Sequence, residues 1–465
     1  MVVDTRVTRY QHETSVTPHH GRDVQHTTCC IVGAGPAGAV LALLLARQGI
    51  PVLLLEAHVD FDRDFRGNTL SPTVMQIMAD LGLADRLLQL NHAKIGKFTV
   101  RTEDGAATFA DFTRLKTRYP YVTMLPQVDF LSLITAEAQR YPHFRLVMGA
   151  HVQELIEEGG EIRGVRYRGR DGWHDVRADL TVGADGRFSR TRRLTGMEPI
   201  TTASPLDVLW FYLPRRPEDP ADAGAIFRLG GGGLLVLMEH FERWQVGYII
   251  AKGSYARIRA AGLPALRRSI TALAPELTDR VEHLQAWKQL SLLAVESSRL
   301  RRWYRPGLLL IGDAAHVMSP VGGVGINYAI QDAVVAANVL AGPLKAGRVR
   351  LRDLQAVQRR REWPTRVIQA AQALAHRWVV GRALASNEPV RLGSVLHLWL
   401  RLPLLRDLPA RLIAFDLRPV HPVIKAISDE KPGPKTVSSP CSPRPIPLSM
   451  NSFSTKSTVA DDMLP

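Results

Sequence analysis

Three short glycine-rich runs, each holding or followed by an acidic residue, are the stretches of this chain whose residue types and spacing could do chemistry. The first is Gly33-Ala34-Gly35-Pro36-Ala37-Gly38, with Glu56 further on. Glycines so spaced let a backbone turn tightly against a pyrophosphate at the positive end of a following helix, and a carboxylate at the next strand end can accept hydrogen bonds from ribose hydroxyls. Such a run can also merely close a strand–helix turn. The apolar strand before it, the helix after it and the acidic strand end favour a dinucleotide site, without separating nicotinamide from flavin. The second run is Gly183-Ala184-Asp185-Gly186-Arg187-Phe188-Ser189-Arg190-Thr191-Arg192, whose Asp-Gly could by itself be only a turn. The third runs from Gly307 through Gly312-Asp313-Ala314-Ala315-His316 to Ser319-Pro320-Val321-Gly322-Gly323-Val324-Gly325-Ile326-Asn327. Asp313 at a strand end can accept hydrogen bonds from a polyol. Glycines after it let backbone amides lie close to a flat ring, and a helix N-terminus aimed there stabilises negative charge.

The elements that must position these residues follow from apolar patterning. Residues 27–58 read as strand, turn, helix and strand, which opens a parallel sheet with right-handed crossovers. Helices are expected over 69–92, 128–141, 262–289 and 325–341, and a long one over 353–385 around Pro364; short strands alternate with glycine turns over 144–182. Between 206 and 251 several strands follow one another without helices, so an antiparallel sheet is expected there. The fold class is therefore α/β: a Rossmann-like lobe with a parallel sheet, plus a mixed, largely antiparallel second sheet. The expected division is a flexible leader 1–26, a discontinuous dinucleotide-binding domain 27–95, 96–200 and 290–390, a β-sheet substrate domain 201–289, a helical segment 391–430 and a disordered tail 431–465.

Composition narrows the class of protein. The net charge of +15 could mark an anionic partner, but only ten of the 59 basic residues are lysine and the arginines are scattered along the chain, so nucleic acid is not expected. Cys29, Cys30 and Cys441 have no metal-ligand spacing and adjacent cysteines rarely pair, which points to a reducing compartment and no metal. No apolar leader or membrane-length apolar run is present, and a cytoplasmic location is expected. The Leu/Arg-rich stretch 392–416 reads either as a membrane-surface segment or as a packed helix or homodimer face; the packed reading is preferred.

In their order and separation the three runs resemble those of the class A flavoprotein monooxygenases, the para-hydroxybenzoate hydroxylase-like group, and the similar quinone-biosynthesis hydroxylases. The resemblance spans roughly residues 27–390. It implies that Gly33, Gly35, Pro36, Ala37, Gly38, Glu56 and Ala57 hold the ADP half of FAD, and that Asp185 and Gly186 lie near the pyrophosphate and serve the use of reduced nicotinamide. It further implies that Gly312 and Asp313 hold the ribityl chain, and that the stretch Pro320 to Asn327, with Gly322, Gly323, Gly325 and Ile326, faces the isoalloxazine. Arg66 occupies the place of an arginine that contacts FAD, and Gln127 a place where relatives carry Arg or Gln. The implied activity is hydroxylation of a small aromatic, phenolic or related organic substrate by FAD and molecular oxygen through a flavin hydroperoxide. NADPH or NADH would visit transiently, since only one dinucleotide fingerprint exists. His316 reads as a loop-packing residue rather than a base. Tyr212, Arg228, His240 and Tyr248 near the second sheet are polar candidates, none committed as catalytic. A reductase or dehydrogenase of the same fold is the main rival. A halogenase ranks lower, because none of the eight tryptophans has another two residues away.

Overall fold

The computed structural model describes residues 24–62, 69–219, 224–230, 233–240, 242–379, 406–415 and 417–423. The apolar strand Val24–Val32 lies at the centre of an eight-stranded sheet. It pairs in parallel with Val52–Glu56 on one side and Gly172–Gly183 on the other; Phe144–Met148 and Leu308–Leu310 extend the sheet outward, also in parallel. Val52–Glu56, Leu308–Leu310 and the last four residues of Val24–Val32 and of Gly172–Gly183 are buried on both faces, so they read as continuous apolar runs rather than alternating ones. Cys29 and Cys30 show the two faces: Cys29 packs with the helices on one side, and Cys30 with residues of the hairpin strands His151–Glu158, Glu161–Gly169 and Gly172–Gly183 on the other. Both thiols are free, and burial pushes that of Cys30 up to about 12.

The helix Pro36–Ala46 is buried nearly all round between this sheet, the helix Gln127–Ala138 and the helix Gly325–Lys345. An element apolar on every side must be covered on every side. The stretch Val321–Lys345 is long and apolar enough to cross a membrane, but it is mostly buried against these neighbours, as a core helix is.

Three expectations change. The helix expected over 69–92 is a short strand Thr69–Leu70 and two helices, Pro72–Asp80 and Ala84–Leu88, parted by Gly82 at φ +74, where a residue with a Cβ is strained. The helix expected over 262–289 stops at Leu273; Pro275 follows, and three single 3-10 turns replace the rest. The strands Lys97–Thr102 and Gly105–Asp111 join the second sheet, through a parallel pairing of Lys97–Thr102 with Ala225–Gly230, although the sequence places residues 96–200 with the dinucleotide-binding part. The helix Leu351–Val379 runs through Pro364, with Thr365 Oγ1 donating to Arg361 O at 2.8 Å.

That second sheet has seven strands in the order Ser291–Leu293, Leu206–Pro214, Arg243–Ala251, Gly233–His240, Ala225–Gly230, Lys97–Thr102, Gly105–Asp111. One face, with Leu209, Phe211, Leu235, Leu237 and Val246, packs on the helix Leu263–Leu273. The other face is apolar too, and no helix among the described residues covers its centre. The leader up to residue 23, most of 391–430 and the tail 431–465 lie outside the described residues. Within the C-terminal segment, the helix Leu408–Ala414 packs Ala410 and Ala414 against Phe98, Ala110 and Phe112.

Candidate active site

The uncovered sheet face and the three glycine-rich runs enclose one cavity of about 1620 Å³. In the first run Gly33 and Gly38 are demanded by close backbone packing, while Gly33 and Gly35 line the cavity. A Cβ on Gly33, which stands at φ +98, would lie 2.6 Å from Ala184 O, and one on Gly38 would lie 1.9 Å from Gly33 O. Gly38 does not line the cavity; it lets the helix sit tightly on the turn. A Cβ on Gly35 would meet nothing within 4 Å, and Gly35, Pro36 and Ala37 line the cavity. Glu56 is buried at the end of its strand. Its carboxylate accepts from Ala34 N at 2.8 Å, His58 N at 3.0 Å and His58 Nδ1 at 2.8 Å, so it shapes the turn as well as facing the cavity with Ala57.

In the second run Asp185 accepts from Ser189 Oγ at 2.6 Å, Thr191 N at 2.8 Å and Thr191 Oγ1 at 3.0 Å, which folds the loop back on itself; Gly186, at φ +78, lines the cavity beside it. Arg192 donates to Arg187 O at 3.0 Å and to Ala314 O at 3.2 Å, tying this loop to the third run.

The third run sits on a buried ionic cluster. Asp332, on the helix Gly325–Lys345, accepts from Gly312 N at 3.0 Å, His316 Nε2 at 2.6 Å and Arg361 Nε at 2.8 Å. Burial alone would raise its carboxyl, but the facing His316 and Arg361 outweigh burial and hold it below the usual range. His316 is buried, does not line the cavity and packs at a tilt against Trp303, as a loop-packing histidine does. Asp313 faces the cavity; Gly312 does not, and a Cβ there would crowd Ala37 at 3.2 Å. Pro320, Gly322, Gly323, Gly325 and Ile326 line the cavity. Asn327 does not: it accepts from Ser71 N at 2.8 Å and donates to Thr69 O at 3.1 Å and Gly323 O at 3.0 Å, riveting the loop to the strand Thr69–Leu70.

The remaining wall is the second sheet. Leu206, Val208 and Trp210 alternate along one strand, Ala225, Phe227 and Leu229 along another, and Leu234, Val236 and Met238 along a third, all on the cavity side. Trp210 lies across Gly247, where a Cβ would come within 2.8 Å of the indole.

The domain family described as FAD binding domain matches residues 26–371. The chain is 36% identical over 378 residues to 6-methylpretetramide 4-monooxygenase of Streptomyces rimosus, covering 80% of this chain and 89% of that one. The chain belongs to the class A FAD-dependent monooxygenases. Rifampicin monooxygenase of Streptomyces venezuelae is 28% identical over 314 residues, which cover 65% of this chain and only 61% of that longer protein. The solved p-nitrophenol 4-monooxygenase PnpA of Pseudomonas putida DLL-E4 has the same fold, with a TM-score of 0.67 at 21% identity over 78% of this chain and 90% of that one. The flavin-dependent brominase Bmp2 matches as well in fold, at TM-score 0.67 and 19% identity over 84% of this chain and 94% of that one, so the fold alone does not separate hydroxylation from halogenation.

The residues of this monooxygenase fit FAD. Gly35 leaves an open cradle, and the helix Pro36–Ala46 begins there without a side-chain cap, so its first N–H groups are available to a phosphate. A cavity of about 1620 Å³ exceeds the roughly 300–1000 Å³ of a drug-sized ligand site, leaving room for substrate beside the dinucleotide. Gln127 lines the cavity from the start of its helix, and Arg66 falls among residues 63–68, outside the described ones. None of Tyr212, Arg228, His240 and Tyr248 lines the cavity: Arg228 pairs with Glu276, and Tyr212 packs beside His240. Sequence reasoning missed the buried stripe Gln358, Arg361, Thr365, Gln369, Gln372 and His376 on the helix Leu351–Val379. Its signal is polar residues recurring at helical spacing.

Proposed function

We propose that this monooxygenase hydroxylates a polycyclic aromatic, oxygen-bearing substrate of the polyketide kind, with NADPH or NADH as visiting reductant and molecular oxygen as co-substrate. The observation that carries the substrate class is the cavity wall of alternating Leu, Val, Trp and Phe, an extended apolar surface suited to fused flat rings. The relative named for 6-methylpretetramide, an aromatic polyketide, supports the same class.

When bound, FAD supplies the electron transfer and oxygen activation. The chain supplies the setting. Gly35 and the uncapped helix start would hold the pyrophosphate, Glu56 and Ala57 the adenosine ribose, and Asp313 the polyol. The backbone of Pro320 to Gly325 would face the flat ring, and the N-terminus of the helix Gly325–Lys345 would stabilise negative charge on it. The sheet wall excludes water from the substrate side. The central parallel sheet is thus read as the FAD-binding part, and the second sheet as the substrate-binding part.

The test is oxygen consumption by the holoenzyme with NADPH and with NADH across phenols of one to four fused rings. Turnover that rises with ring number supports the reading. Turnover confined to single-ring phenols contradicts the substrate class, and turnover that requires bromide or chloride favours halogenation.

A further inference from the structure

The polar stripe of the helix Leu351–Val379 is used up along most of its length. Gln358 serves Trp303 N and Arg301 O, Gln369 donates to Ser298 O and Val317 O, and Gln372 donates to Ser319 O at 2.9 Å and Val321 O at 2.8 Å. His376 ends the stripe and differs from the others: it lines the cavity. Its Nε2 lies 2.8 Å from Ser319 Oγ, and its Nδ1 has no partner among the described residues.

The hydrogen bonds fix what that nitrogen offers. Ser319 is buried and its hydroxyl has no other acceptor among the described residues, so its proton goes to His376 Nε2, while a lone pair on Oγ accepts from Val321 N at 3.2 Å. Burial holds the His376 imidazole below its ordinary value, so the ring is neutral at neutral pH. A neutral imidazole that accepts at Nε2 carries its proton at Nδ1. An N–H donor without a protein partner at an apolar cavity wall is open to a ligand oxygen, and sites of this type fix orientation with few polar groups.

We infer that His376, set in one tautomer by Ser319, is a specificity-determining residue that donates from Nδ1 to a ring oxygen, carbonyl or phenolic, of the aromatic substrate. This rests on the substrate class given under Proposed function. His376 orients the ring by its oxygen, and Ser319 is the positioning residue behind it.

The experiment is a ligand and mutant cycle on the FAD-loaded protein. Dissociation constants of 2-naphthol and 2-methylnaphthalene are measured for wild type, His376→Leu, His376→Asn and Ser319→Ala, with FAD content and melting temperature recorded for each. One hydrogen bond of ordinary strength is worth about tenfold in affinity. The preference for the naphthol over its methyl isostere should therefore fall about tenfold in His376→Leu. His376→Asn, which keeps an amide donor, should recover part of it, and Ser319→Ala should lie between. An unchanged preference in His376→Leu, or a loss seen only together with lost FAD, overturns the role of His376 and leaves the substrate class standing. If wild type binds neither compound, the aromatic substrate class falls, and this role falls with it.

Discussion

Gly35 and Gly38 belong to one motif but answer to different demands. A side chain at Gly35 enters open cavity, whereas one at Gly38 meets Gly33 O at 1.9 Å. Gly35→Val should therefore give a folded protein that retains no FAD, seen as a colourless preparation with a cooperative melt. Gly38→Ala should lower the melting temperature of the FAD-free protein by several degrees. Reversal of these outcomes would misplace the turn. Asp332 is a second residue-scale case. Replacing it with Asn leaves the buried Arg361 guanidinium without its carboxylate, a loss of about 3–5 kcal/mol in chemical denaturation. Its folded carboxyl is held below the ordinary value of 3.8, so the stability it adds is present above that value and is lost as pH falls below it. The wild-type and Asp332→Asn stability curves should accordingly converge on acidification. Curves that stay parallel below pH 4 would contradict the assigned network.

Elements built from neighbouring residues were legible in the sequence; elements defined by distant partners were not. The strand–turn–helix at 27–56 and the strand of 308–310 announce themselves by local patterning, and so does the helix after Gly325. The breaks at Gly82 and Pro275 were also local signals, overridden by apolar spacing that continued past them. The polar stripe from Gln358 to His376 shows its helical spacing in the sequence, but its burial does not show, because its partners lie at residues 298–332 and nothing local says that this face of the helix meets them. This stripe gives a prediction at its own scale. Gln372→Leu removes two hydrogen bonds to the loop, worth about 1–3 kcal/mol together, so amide exchange over Ser319–Val324 should quicken about tenfold or more while exchange in the central sheet is unchanged. Equal protection in the loop of both proteins would show that the glutamine does not brace it.

At the scale of the whole molecule, what matters is one cavity bounded by two sheets. The strands Lys97–Thr102 and Gly105–Asp111 complete its floor from a part of the chain remote from the other five strands, and the parallel pairing that brings them there leaves no trace in a strand's own sequence. For the same reason Tyr212, Arg228, His240 and Tyr248 were candidates on type alone; strand alternation turns Arg228 and Tyr248 to the opposite face, while Tyr212 and His240 sit at strand ends beyond the cavity lining. Cavity shape predicts selectivity. Gly247→Ala pushes Trp210 toward the cavity and should cut turnover of four-ring substrates about tenfold relative to one-ring phenols; an equal fall for both would remove Trp210 from the substrate wall. The most direct measurement of the central claim is turnover of a polycyclic phenol by the FAD-loaded protein under isotopically labelled molecular oxygen. Monooxygenation predicts one labelled atom in the product, the other in water, and nicotinamide oxidation well above the rate without substrate. A product without label, or turnover undiminished without oxygen, would contradict it.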